Sequence, residues 1–280
     1  MRGIRLSVLL GAVGVVGLTL WAGAKADRAG GRMAIAAERL LAALGPEAKQ
    51  KATFGYDDPE RLNWHFIPRE RKGLPIKEMT SEQRALAFGL LESGVGASGS
   101  LKATTIMSLE AVLRDIEKGS GPVRDPERYF VSIFGTPSNT GKWGWRIEGH
   151  HLSLNFALDG GKIVAATPAF FGANPAEVRD GPRQGLRTLG EIEDNDLRLF
   201  QALDADQQKT ALLAAEAPKD VASNSGQGAN GGLPAKTTSR PEGVAFADLN
   251  ENQRGLMKGL VESHALNLPD EVAAAWRDEI

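Results

Sequence analysis

The chain has 280 residues, 42% of them apolar and 24% charged, and a formal net charge of −2. These values are ordinary for a globular protein, and a weakly acidic balance argues against a nucleic-acid partner. No cysteine is present, which excludes disulfides, thiolate metal sites and a cysteine nucleophile.

In chain order, residues 1–26 read as a signal peptide or an uncleaved N-terminal anchor. Arg2 and Arg5 precede an uncharged, mostly apolar run, and Ala22-Gly23-Ala24 and Ala24-Lys25-Ala26 are small-x-small cleavage patterns. Either reading places the rest of the chain outside the cytoplasm, periplasmic or secreted, with membrane contact only through that segment if it stays uncleaved. Removing it leaves 30 basic against 35 acidic residues, net −5. Residues 28–51 have a helical register of Ile35, Leu40, Leu41 and Leu44, interrupted at Gly45-Pro46. Residues 54–73 read as irregular and carry Trp64, His65 and a basic cluster of Arg69, Arg71 and Lys72. Thr80 with Gln83 forms a capping box that opens a helix to about residue 93. A second helix is expected over 101–118, with Ile106, Leu109, Leu113 and Ile116 on one face and Gly119 beyond its end.

The stretch 143–175 concentrates aromatic, imidazole and glycine residues. Leu152, Leu154, Phe156 and Leu158 alternate with Ser153, Asn155 and Ala157, which predicts a strand with one apolar face. Asp159-Gly160-Gly161 is a turn, and 162–167 returns as a second strand ended by Pro168. Upstream, 129–134 and 143–148 read as two more strands around a Pro/Ser/Asn/Gly turn. The expected fold is therefore α+β: an antiparallel four-stranded meander, about 129–168, flanked by helices. Adjacent residues on a strand point to opposite faces, so His150 and His151 face one site only if the backbone is irregular near Gly149. A bulge at Gly149 is favoured, because it brings Trp143, Trp145 and Ile147 onto the face of Leu154 and Phe156.

After the sheet, helices are expected over 194–203, with Leu197 and Phe200 inward, and from a capping box at Asp204 and Gln207 to about 216. Residues 217–243 read as a flexible linker between the main domain, 27–216, and C-terminal helices, 244–280, that pack on it. Those last helices open at a box of Asn250 with Gln253 and at Pro269. Residues 79–93 resemble 249–263, sharing Gln83/Gln253, Arg84/Arg254, Gly89/Gly259 and Ser93/Ser263. Either the two segments solve helix initiation alike, or two equivalent helices flank the sheet.

Several separated motifs resemble the domain-of-unknown-function family 3500. They include Trp64 with Arg71-Lys72-Gly73-Leu74, Ile106-Met107-x-Leu109-Glu110, Arg124-Asp125-Pro126, the run WGWRIEGHHLSLNF from Trp143, and Thr167-Pro168-x-Phe170-Phe171-Gly172-Ala173-Asn174-Pro175. The resemblance covers roughly 35–217 and implies an exported protein of uncharacterised activity. Members of that family generally continue past a helix like the one at Pro269 into an aromatic segment with a His-x-His pair. This sequence ends at Ile280, so the resemblance implies a partial site here if that pair completes one.

Two function classes follow. In the first, a metal-assisted, hydrolytic enzyme uses His151 as ligand or general base, with Glu148 and Asn155 beside it and His150 as a second ligand. Imidazole and carboxylate donors without thiolates suit zinc or copper. In the second, a non-catalytic module binds a small molecule through Trp143, Trp145, Arg71 and Asn174 in an aromatic pocket. Against these stand blander readings: a solvated His151 row, a buried His150 bonded to backbone, and core tryptophans. No nucleophile elbow, phosphate loop, His-Glu-x-x-His or dinucleotide fingerprint occurs.

Overall fold

The computed structural model describes residues 28–216 and 243–278. The segment 1–26 and nearly all of the linker 217–243 lie outside the described residues. Helices α1 (Arg28–Ala43) and α2 (Pro46–Ala52) divide at Gly45-Pro46, where proline occupies the first turn of α2. Strand β1 (Thr53–Phe54), a 3-10 turn (Pro59–Leu62), β2 (Leu74–Pro75) and a second 3-10 turn (Ile76–Glu78) lead to α3 (Ser81–Gly94) and α4 (Ala97–Glu117). Five strands follow: β3 (Phe130–Gly135), β4 (Lys142–Gly149), β5 (Leu152–Asp159), β6 (Lys162–Ala165) and β7 (Ala169–Phe171). Then come α5 (Gly190–Ala202), α6 (Ala205–Ala211), a 3-10 turn (Phe246–Asp248), α7 (Glu251–Ala265) and α8 (Asp270–Asp278).

The fold is α+β. The meander β3-β4-β5-β6 is its centre, but the sheet is mixed and seven-stranded: β1 adds parallel to β3, β2 antiparallel to β3, and β7 antiparallel to β5. Only four strands show in the sequence pattern because β1 and β2 are two residues each, too short for any periodicity, and Pro168 reads as the end of the last. The chain instead shifts register between Ala157 and Leu158 of β5 and resumes as β7, so Phe170 and Phe171 belong to the sheet rather than to a loop.

The bulge expected at Gly149 is a complete reversal. Gly149 pairs with Leu152, and His150-His151 is a two-residue hairpin tip with His151 at φ 60. The parity argument still arrives at the observed faces. Trp143, Trp145 and Ile147 pair with Leu158, Phe156 and Leu154, and all six are buried in one core cluster with α1, α3 and α4. Trp145 stacks on Phe156 at 4.5 Å between ring centroids. Helix α3 lies so close that a Cβ on Gly94 would come within 2.2 Å of the Trp145 ring.

Two inward assignments fail. Ile116 is 58% exposed because α4 runs past the edge of the core in its last turn, and Leu197 is 54% exposed. Along α5 the half-buried residues include Ile192, Asn195, Leu199, Phe200 and Ala202, so the inward expectation holds for Phe200 and fails for Leu197. Among the described residues no helix is long and apolar enough to cross a membrane.

The resemblance between 79–93 and 249–263 has a common construction. Gln83 accepts from Thr80 N–H at 2.9 Å and donates to Ala43 O, the carboxyl end of α1, at 2.9 Å. Gln253 accepts from Asn250 N–H at 2.9 Å and donates to Ala202 O, the end of α5, at 2.8 Å. In both, one glutamine closes its own helix start and caps the preceding long helix. The C-terminal pair is tied to the rest of the fold by Glu271, which accepts from Ala29 N–H, and by Asn267, which accepts from the buried Lys102 at 2.8 Å.

Candidate functional site

The second face of the sheet carries Ser132, Arg146 and Asn155 in one register row, with Glu148 opposite Ser153 beside it. Alternation predicts these residues, and a solvated face is the ordinary outcome. Here the segment 56–72 covers them. Arg146 is 0% exposed and Glu148 1%. Arg146 donates to Glu60 Oε1 at 2.7 Å and lies 3.0 Å from Glu148 Oε1. Arg71 is fixed from the other side by the carbonyls of His65, Ile67 and Gly149. Burial raises the Glu148 carboxyl above its usual range even with Arg146 and Arg71 beside it: desolvation outweighs the ion pairs.

Glu148 and Asn155 are therefore structural in position. Glu148 also accepts from His65 N–H at 2.9 Å, and Asn155 binds Ser153 Oγ and Pro168 O, tying β5 to the β6–β7 connection. Neither joins His151. Trp143 and Trp145, 0% and 1% exposed, are core under α1 and α3 and offer no surface to a ligand. Asn174 lies elsewhere, in an open groove of about 1270 Å³ between the end of α4 and the loop 174–187. Arg187 in that loop is paired with Glu193 and Asp194.

The hairpin tip assembles a different group. Tyr129 lies against Gly149, where a Cβ would meet its ring at 2.3 Å, and its hydroxyl donates to His150 O at 2.8 Å. His151 N–H donates to Phe66 O and His151 O accepts from Gly172 N–H, both at 2.8 Å. Three separate segments thus hold two residues. The imidazoles stand edge to face, 4.1 Å between centroids. His150 Nδ1 donates to Glu110 Oε1 at 2.5 Å, and Arg124, itself held bidentately by Glu117, stands 3.2 Å from the same nitrogen. A carboxylate on Nδ1 sets the tautomer and leaves Nε2 for chemistry. His151 is neutral at pH 7, its pKa lowered to about 4 by burial and by His150 and Arg124.

A hollow of about 10 Å³ opens beside His150, lined also by Glu110, Tyr129, Arg69, Arg71 and Arg128; that is room for about one water. On the other flank, Phe66 and Phe170 stack at 4.6 Å, with half-exposed Trp64 at 6.2 and 6.3 Å from them. Phe170 and His151 both border Gly172.

For zinc or copper the donor set falls short. Among the described residues no group of three His, Asp or Glu is arranged to hold a metal ion, while such sites take three or four protein ligands.

Glu110, Arg124 and Trp64 were missed as site residues, whereas Phe170 belongs to the Phe-Phe-Gly-Ala-Asn-Pro stretch that the sequence places in the aromatic pocket. Glu110 had a readable signal, a carboxylate at the register of Ile106 and Leu113 on the buried face of α4. Arg124 and Trp64 gave none, since both sit in irregular chain.

The whole described chain is thus an α+β protein with a carboxylate–histidine pair at a clamped hairpin tip. It belongs to the family described as "Protein of unknown function (DUF3500)", whose sequence profile matches residues 27–280. No curated protein and no solved structure gives a significant match.

Proposed function

We propose that the protein is an extracytoplasmic enzyme, hydrolytic in type, whose acid–base group is His150. The observation that carries this reading is the Glu110–His150 contact at the floor of a water-sized hollow. Glu110 accepts the Nδ1 proton and stabilises the imidazolium, so Nε2 can take a proton from an attacking water and return it to a leaving group. His151, held neutral, lies beside it as a hydrogen-bonding group for substrate. Among the described residues His150, His151 and Glu110 are not arranged to hold a metal ion together, and the chain's own residues are assigned no metal-dependent step. Export rests on the N-terminal pattern of 1–26.

The test is a panel of chromogenic esters, amides, phosphate monoesters and glycosides, run on protein purified from its exported fraction. One substrate class should turn over, and His150→Gln and Glu110→Gln should each lower kcat about 10²- to 10⁴-fold at unchanged fold. Turnover indifferent to both substitutions would end the reading. A second reading is favoured by Trp64, Phe66 and Phe170: a non-catalytic module that binds a planar ligand on these rings. It predicts ligand-dependent Trp64 fluorescence with no turnover.

A further inference from the structure

We propose that the ligand of this site is an anion, a carboxylate or phosphate group, received by Arg69 and Arg128 at the mouth of the His150 hollow. This deepens the acid–base reading and rests on it for the location of the chemistry. Both arginines line the hollow together with His150 and Glu110. Arg69 is exposed, and among the described residues no carboxylate pairs with it. Its guanidinium donates instead to His65 Nε2 at 2.6 Å and to Glu70 O. Arg128 pairs with Glu70, whose side chain is 87% exposed. Such a surface pair is weak and readily exchanged for a ligand anion, so Glu70 stands where that anion binds.

The field around the hollow is set by more than these two. Behind them Arg71 is buried, held chiefly by carbonyl oxygens, with Glu148 3.8 Å away and already shared with Arg146. His65 has a pKa lowered to about 4 by burial and then by Arg69, Arg71 and Arg146, against only Glu60. A neutral His65 is what Arg69 needs, since only then can Nε2 accept its proton. The chain as a whole is net acidic, so the concentration of guanidinium groups at one hollow is local. Arginine suits the task because its fork matches carboxylate and phosphate oxygens in pairs.

Isothermal titration of the full chain with inorganic phosphate and with acetate, at constant ionic strength, tests this. At least one anion should bind saturably at one site, phosphate preference assigning a phosphate ester and acetate preference a carboxylate. Arg69→Gln should weaken binding about tenfold or more, with Arg69→Lys restoring part of it. Arg183→Gln, in the separate groove, should leave it unchanged. His150→Gln should keep anion binding while losing turnover. If phosphate and acetate both fail to saturate the folded protein, or bind Arg69→Gln as tightly as the native chain, the anion site is overturned even where His150 proves catalytic. If His150→Gln keeps its turnover while Arg69 still governs binding, the anion site stands and the acid–base reading falls.

Discussion

On one face of the sheet Trp143, Trp145, Ile147, Leu154 and Phe156 meet helices; on the other Ser132, Arg146, Glu148 and Ser153 meet the irregular segment 56–72. Both faces are sealed: Trp145 is 1% and Arg146 0% exposed. The energetics differ. Burying the tryptophan face releases water from apolar surface and stabilises the fold. Burying the charged face costs desolvation that its ion pairs only partly return, as the raised Glu148 carboxyl shows. Several atoms there have no hydrogen-bond partner: His65 Nδ1, Arg71 Nε, Ser132 Oγ and Arg146 Nε. The apolar face accounts for stability. The charged face holds Arg71 and His65 in place behind the hairpin tip, where a purely apolar cover would have done the packing better.

The largest effect should come from breaking the charged face on one side only. Arg146→Leu strands Glu60 and Glu148 in the interior and should cost about 3–5 kcal/mol in urea unfolding, comparable to Trp145→Ala. Combining it with Glu60→Met and Glu148→Leu should cost less than Arg146→Leu alone, because the stranded carboxylates are gone. If the three losses add, the charged face is stabilising in its own right and the contrast drawn above is wrong.

Acid should act on the charged face and the tip, and spare the apolar face. His65 and His151 have pKa values lowered from 6.5 to about 4. Between those values the unfolded chain binds protons that the folded chain refuses, so stability falls as pH falls from about 6.5 to about 4. Each histidine should contribute on the order of 2 kcal/mol to that loss, His151 less because it is only half-buried. His65→Gln should flatten the slope of unfolding free energy against pH; an unchanged slope would mean that His65 titrates normally.

Much of the apolar face was legible. Alternation in 152–158, the parity of Trp143 and Trp145, and three capping boxes rest on local spacing, which the chain carries in any context. The charged face was legible only as a polar row. Whether Arg146 meets water or Glu60, 86 residues away, depends on where an irregular segment lands, and irregular backbone has no period to read. The histidine site was half legible for the same reason. Adjacent imidazoles were visible in the sequence, and their partners Glu110, Arg124 and Phe66 arrive from three other segments. Trp143 and Trp145 misled because aromatic density marks a core and a pocket alike.

A smaller test isolates polarity from volume on the apolar face. The Trp145 indole N–H is buried without a partner. Trp145→Phe should cost under about 1.5 kcal/mol, far less than Trp145→Ala, because it removes an unsatisfied donor along with some volume. A loss near that of the alanine variant, measured by urea unfolding, would show that the indole shape against Gly94 matters more than its orphaned donor.

The smallest expected change in stability is at the tip that joins the two faces, and it is the most informative about function. His151 occupies φ 60, a left-handed conformation that glycine adopts without strain. Its backbone contacts to Phe66 and Gly172 survive any side-chain change, and its Nδ1 is buried without a partner. His151→Gly gains relief from strain and loses imidazole packing and some unfolded-state restriction. Thermal unfolding should therefore shift by no more than the equivalent of about 1 kcal/mol in either direction. A residue kept in a strained conformation at little benefit to the fold is expected where the side chain has a task. Turnover or ligand binding should accordingly fall sharply in His151→Gly while stability holds. A variant that loses about 3 kcal/mol or more would instead make His151 a packing residue, in the range of buried large-to-small changes, and would leave His150 as the one functional imidazole of the tip.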